Sequence, residues 1–441
     1  MGFGDFAVSM QTRDFITKLV ENVVDRVRPS YRYGRVVSVD GVNSKATVVF
    51  TGDTNQVIVS YASHVPVVHS IVRVEGIGTD RYIADIVGGS MSTQPGPVRY
   101  TIPALSGTWT NYSADGAFHL PGFFKTPEGI VVLTGLHGSG TVNTVMHTLP
   151  VGYRPDSIWV FIIANNSTNG YVYIYPDGRI LNSGAVGLSW ASLEGIMFPA
   201  AGVATWTDIG SGGSTWASGW SSYHTSDPTF PVAGFWRDSL GRVWIRGLMK
   251  QASPSTIAAI TPMFTLPFQK QWSSHYPTFA GGGSYGTVIC YSGATAVVQA
   301  HVGTNTAYVS CARVTFVDQN IRGTWTPMPA FQNAWQNYGA GFPNAMYMKF
   351  ADGIIMSDGL IKSGTLGQVS QPLAPGALPD TQFQSSIWGS GAMVFIVAAN
   401  LAEARTDLVS TSVSGPGAFR LENNGSNVWR SLAGINYLVA G

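Results

Sequence analysis

Charge is scarce in this sequence. Asp, Glu, Lys and Arg make up 11% of its 441 residues, and they nearly cancel, leaving a formal net charge of +1. Disordered chains are rich in charge and poor in aromatics, so disorder is excluded for most of the length. The Lys and Arg residues are scattered rather than gathered into a stripe, which argues against a nucleic-acid partner held through its phosphates. No apolar run approaches the ~18 residues expected of a spanning helix. Cysteine is almost absent. Cys290 and Cys311 are too few to make a disulfide framework; they read as small buried hydrophobes, with one bridge inside a single domain as the alternative. Met1 to Met10 carries Asp5 and no Lys or Arg, so a cleaved export signal is not expected there, and synthesis in a cytoplasm is.

Glycine (52), Trp (13), Tyr (18) and Phe (21) are abundant. With so little charge, that composition describes tightly turned β-structure, and a charge-poor surface invites burial against copies or partners. The expected class is all-β, preceded by one short helix. From Thr12 to Arg28 the apolar residues Phe15, Ile16, Leu19, Val20, Val23, Val24 and Val27 form a 3.6-residue stripe, with Thr12 as N-cap and Pro29 as terminator. Ile16, Leu19, Val23 and Val27 also suit a coiled-coil seam, so the segment 1–30 is either core-packed or an oligomer contact. Five alternating runs follow, Tyr31–Val39, Lys45–Phe50, Gln56–Tyr61, Ser70–Glu75 and Arg81–Val87, separated by Gly/Asp turns. Such a run over 31–88 has the size of a small OB-like barrel. Residues 89–98, with two prolines and small polar residues, read as a linker.

The rest of the chain is one pattern written three times. FFKTPEGIVVLTGL begins at Phe123, FWRDSLGRVWIRGL at Phe235 and YMKFADGIIMSDGL at Tyr347, a spacing of 112 residues (347 − 235 = 235 − 123). Gly129, Gly241 and Gly353 occupy a turn that asks for positive φ. Val131, Val243 and Ile355 point to a core, while Gly135, Gly247 and Gly359 end the strand or admit a close neighbour. Thr-Trp-Thr opens each copy at 108–110, 205–207 and 324–326. WASLEGIMF closes the first at Trp190 and WRSLAGINY the third at Trp429, where the second has VSCARVTF from Val309. A period of about 110 residues is far longer than a solenoid's, so each copy is expected to bury its own core as one bead of a β-sandwich series over 99–202, 203–320 and 321–441.

A search for chemistry finds little. The eight histidines form no H-x-H or H-E-x-x-H pair and have no Cys cluster beside them, so no metal and no other cofactor is expected. Paired carboxylates for glycan hydrolysis need no short motif; Asp115 with Glu128, and Asp227 with Asp238, are the pairs available. Acids do not recur between copies, since Glu128 matches Leu240 and Asp352, and an enzyme is not expected. Lys125, Arg237 and Lys349 stand beside the repeated aromatic and either bind a ligand or, as alternation alone would have it, form a solvated strand face. Binding has better material in Trp109 and Tyr112, in Trp216, Trp220 and Tyr223, and in Trp335 and Tyr338. These either stack on sugars and anchor interfaces, or fill the ends of the sandwiches or the seams between beads.

A helix, a small barrel, a Gly/Pro linker and low-charge β-repeats together resemble minor tail proteins of long-tailed phages of actinobacteria. RYGRVVSVDGVNSKATVVFTGD and SIVRVEGIGTDRYIADIVGG are similar to the N-terminal barrel of that family, although Val68-His69-Ser70 stands where members often carry Val-Gly-Asp. TLPVGYRP followed by PDGRI looks like the β-domain of tail fibres and receptor-binding proteins. The resemblance implies a virion component near the tail tip, assembled in the host cytoplasm. It further implies a homotrimer built on the N-terminal helix, tail neighbours for the N-terminal third, and a host-envelope glycan or protein as partner of the repeats. A purely structural tail-tip subunit and a wall-glycan hydrolase are the rival expectations.

Overall fold

The structure is a computed structural model that describes residues 32–40, 45–50, 56–60, 71–77, 80–88, 101–112, 118–165, 168–184, 189–252, 261–281, 284–302, 307–319, 325–328, 335–339, 342–350, 352–363, 394–399, 405–411, 419–421 and 429–438. These residues are all-β, and the one helical element among them is a 3₁₀ turn at Tyr223–Thr225. The helix expected over 12–28 and the linker over 89–98 lie outside them. The chain divides into two compact units, one ending at Gly96 and one spanning Pro97–Ala440.

In the first unit, strands β1 (Arg32–Asp40), β2 (Lys45–Phe50), β3 (Gln56–Ser60), β4 (Ile71–Ile77) and β5 (Asp80–Gly88) close a barrel in the order β1-β2-β3-β5-β4. Strict alternation in KATVVF sends Ala46, Val48 and Phe50 inward, where they meet Val36, Val59, Val72, Val74 and Ile83. A register shift between Val36 and Ser38 bends β1, as closing so small a barrel requires. Antiparallel pairing of β4 with both β1 and β5, and a parallel contact of Ser60 with Tyr82, complete the circuit.

In the second unit each sequence copy supplies a small sheet and a large one. The small sheets are built on the repeated hairpin: Gly122–Lys125 with Ile130–Thr134, Gly234–Arg237 with Arg242–Arg246, and Met346–Lys349 with Ile354–Asp358. The turn glycines Gly129, Gly241 and Gly353 have φ of 82°, 84° and 84°, a conformation that L side chains resist. Gly247 (φ 89°) and Gly359 (φ 117°) pass close to the backbone of Ala233 and Ala345, where a Cβ would come within 2.7 and 2.6 Å. Both reasons for the second glycine therefore apply together. Large sheets of seven, eight and six described strands pack against the small ones.

The copies are not separate beads. The strands Trp159–Asn165, Ser274–Ala280 and Val394–Ala399 occupy the same place in their three copies and touch one another pairwise. The first two, WVFIIAN and SHYPTFA, are buried at every position, so one face serves the copy's own core and the other faces its neighbours. Val160, Ile162 and Ala164 accordingly pack with Leu248 and Phe279 of the second copy. A second apolar cluster gathers Ile130, Val132 and Met197 from the first copy, Trp244 from the second, and Met348, Phe350, Ile354 and Met356 from the third. Each aliphatic side chain withdrawn from water at such a seam contributes roughly 1.5–3 kcal/mol. The contacts repeat from copy to copy. Ser310 donates to the Val160 carbonyl at 2.6 Å, and Ser431, its equivalent, to the His275 carbonyl at 2.7 Å. The second unit is therefore one compact body in which the three segments pack on one another.

One of these seams is charged. Arg242 stands where the other copies have Ile130 and Ile354, and it is fully buried. Its Nε donates to Asp238 Oδ2 at 2.6 Å, and its Nη1 lies 2.7 Å from Asp352 Oδ2 of the third copy. The Phe350 and Trp244 rings flank the guanidinium at 5.0 and 5.5 Å.

Candidate functional site

The repeated hairpin places an aromatic-x-basic triplet at the start of each small sheet. In the second copy this triplet borders a groove of about 470 Å³, lined by Thr205, Thr207, Phe235, Trp236, Arg237, Pro267, Phe268 and Asp318. Thr207 pairs with Phe235 across the sheet edge, which sets the Thr-Trp-Thr segment along one wall. Phe268 follows the strand Thr261–Leu266 and meets Phe235 edge-on, at a centroid distance of 5.4 Å and 83° between planes. Asp318 follows the strand Thr315–Val317, and its backbone N–H donates to the Gly241 carbonyl at 3.0 Å. These local bonds fix the two walls before any ligand arrives.

The charges in the groove are compensated. Arg237 Nη1 donates to Asp318 Oδ2 at 2.7 Å, and the guanidinium lies 5.8 Å from the centre of the Phe268 ring. The Asp318 side chain is 1% exposed and that of Arg237 46%, so the carboxylate anchors a fork whose other donors face solvent. The first copy differs at the same place. There Lys125 donates to the Gly152 carbonyl at 2.8 Å and sits 5.1 Å from the Tyr153 ring, while the position of Asp318 is taken by Ala200. In the third copy it is Val439, outside the described residues. The basic residue beside an aromatic is shared; the anchored arginine belongs to the second copy.

The seven aromatics singled out from the sequence divide by type. Trp109, Trp220 and Trp335 are 4%, 5% and 5% exposed and fill core positions. Trp109 also donates from Nε1 to Thr144 Oγ1 at 2.9 Å. Trp216 is half-buried, edge-on to Phe264 at 5.8 Å. The tyrosines three residues after the buried tryptophans reach further out. Tyr112 is exposed beside Phe118 and Trp190, Tyr223 packs on Tyr308 at 4.8 Å, and Tyr338 lies under Lys362 Nζ at 5.2 Å. These residues do not converge on one site.

The carboxylates are engaged structurally. Asp238 accepts from Arg242, from the Trp244 indole and from the backbone of Leu240 and Arg242. Asp227 caps a turn through Thr229, and those bonds hold its carboxyl below the usual range. Burial, then Asp352, raises the Glu128 carboxyl; Asp115 lies outside the described residues. Glu194, absent from the sequence candidates, accepts from Thr134 at 2.8 Å and the Gly135 N–H at 2.9 Å, with His119 Nδ1 at 3.1 Å. Cys290 and Cys311 are both free and buried in the core of the second copy. Burial pushes the Cys290 thiol up to about 12 and raises that of Cys311 as well. His137 and His147 stack at 5.2 Å and 5°, with Nε2 of the first 3.1 Å from Nδ1 of the second. Burial lowers His147 to about 4, and burial with the neighbouring ring also holds His137 well below its ordinary value. Among the described residues no three His, Cys, Asp or Glu side chains gather as metal ligands would.

Of the groove residues, the sequence marks Thr205, Thr207 and Phe235 as parts of the repeat and Arg237 as the basic residue beside the aromatic. The signal for Asp318 is its position in the triplicate alignment, a carboxylate where the other copies are aliphatic. No helix among the described residues is long and apolar enough to cross a membrane. No protein-family model, curated protein or solved structure matches the chain, so its function is argued from its own residues and geometry.

Proposed function

We propose that the chain is a non-enzymatic structural component of a phage tail tip or fibre, whose three β-repeats contact the host cell surface. The observation that supports it best is the unequal triplication. Residues at the turns and in the shared core recur in all three copies, while the acids differ between them, as do Phe268 and Asp318 among the groove residues. Repeats kept for packing and varied at the surface suit a series of contact faces; three copies of one catalyst would repeat their acids. In this reading 99–202, 203–320 and 321–441 are sandwich-like repeats, and the barrel of 31–88 attaches to other tail proteins. The homotrimer that the resemblance implies would rest on residues 12–28.

The test is adsorption of the labelled full chain to intact cells of a panel of actinobacteria, competed by purified wall glycan. Saturable adsorption that the glycan displaces is expected. Failure to adsorb to any member would overturn the adhesive role in favour of a purely structural tail-tip subunit. Release of new reducing ends from envelope preparations would instead point to a hydrolase.

A further inference from the structure

We infer that the groove of the second copy is a saccharide site, fitted to a neutral pyranose ring. This rests on the adhesive reading and names the chemistry through which it would act. A pyranose offers an apolar C–H face and, at its rim, hydroxyl groups that both donate and accept. The groove offers the matching set. Phe268 is half-buried, leaving aromatic surface on one wall, and Thr205 and Thr207 bring hydroxyls to one side. Arg237, held by Asp318, adds outward donors at a fixed angle. Aromatic surface with a few anchored polar groups is how small polar ligands are oriented in a cleft.

Charge narrows the ligand class. An unpaired arginine would favour a carboxylate or phosphate, but here a buried carboxylate at 2.7 Å already neutralises the guanidinium. An incoming anion would compete with Asp318 at close range, whereas hydroxyl groups accept from the guanidinium without displacing it. The volume of about 470 Å³ lies in the ordinary range for small-ligand clefts and is enough for one sugar ring and part of a neighbour. The first copy has no counterpart to Asp318, so one site per chain is expected.

The test uses the full chain and methyl glycosides of glucose, galactose, mannose and N-acetylglucosamine, with methyl glucuronide as the charged control. Saturation-transfer NMR and calorimetry are the readouts. At least one neutral glycoside is expected to bind with a Kd of about 1 mM, as a single exposed sugar site would. Phe268→Ala, and the charge-free pair Arg237→Gln with Asp318→Asn, should each weaken that binding by about tenfold or more. The unfolding midpoint of each variant shows whether the fold survives; the paired change keeps Asp318 from being stranded. No neutral glycoside binding, unchanged binding in both folded variants, or binding of the glucuronide alone would each overturn the assignment. Cell adsorption measured in parallel separates the two claims. Adsorption without glycoside binding overturns the groove and leaves the adhesive reading standing. Groove-dependent glycoside binding without adsorption does the reverse.

Discussion

Arg242→Ile tests whether the three copies form one cooperative body. The substitution installs the residue that the first and third copies carry at that position, so size and strand propensity are acceptable there. What it removes is the cation that meets both Asp238 and Asp352, which are buried. Asp238 keeps three other donors, the N–H groups of Leu240 and residue 242 and the Trp244 indole. Among the described residues, Asp352 keeps a bond from the Ile354 N–H, at 3.2 Å. Breaking a buried pair by removing one partner costs about 3–5 kcal/mol, most of it from the charge left behind. Adding Asp352→Leu, the residue of the second copy at that place, removes the stranded charge. The double variant should then lie within about 1 kcal/mol of the parent, since buried pairs exchanged for apolar residues are often neutral. Guanidinium unfolding followed by tryptophan fluorescence is a suitable assay, because all 13 tryptophans lie after Gly96 and report on the second unit alone. A loss under about 1 kcal/mol for Arg242→Ile, or simple additivity in the double variant, would refute the reasoning.

Other expectations follow from burial. His147 is held neutral, at about 4, against 6.5 in the unfolded chain. Unfolded chains therefore take up a proton that the folded ones refuse, and stability falls as pH drops from about 6.5 to about 4, by roughly 3 kcal/mol from this group. His147→Leu should flatten that decline in a pH series of unfolding midpoints; an unchanged slope would contradict it. Neither thiol should react with a disulfide reagent in the native protein, and both should react after unfolding without reductant; a single reactive thiol, or none, would contradict the free, buried pair. A fragment of residues 97–440 should be monomeric by light scattering, since its contacts between copies are satisfied internally; a trimeric fragment would show that they are not. The mass of the full chain then reports on the N-terminal segment.

Much of this fold is legible in the sequence because its spacing is rigid. The triplicate hairpin sits where FFKTPEGIVVLTGL and its relatives place it, with the turn glycines at positive φ. The barrel strand Lys45–Phe50 has the bounds that alternation gives, and β1 is displaced by one residue. The extent of packing between copies is carried by WVFIIAN, buried at every position. An unbroken apolar strand in a β-sandwich is a strand with two buried faces, and the second face has to meet something. The aromatics were ambiguous for a different reason. Trp-x-x-Tyr on a short edge segment sends its tryptophan into the core and leaves its tyrosine towards the rim, and only cross-strand register separates the two. Asp318 was overlooked because it departs from a repeat, and a search for shared positions passes over departures.

The arginine at the central seam has a consequence for how such an assembly could have been built. In a trimer of identical chains every residue near the axis occurs three times, so an arginine there brings two more with it. A guanidinium with its two carboxylates at just one of three equivalent seams is an arrangement that strict threefold symmetry forbids. Joining the copies in tandem lifts that prohibition and lets each copy acquire its own residues without altering the others.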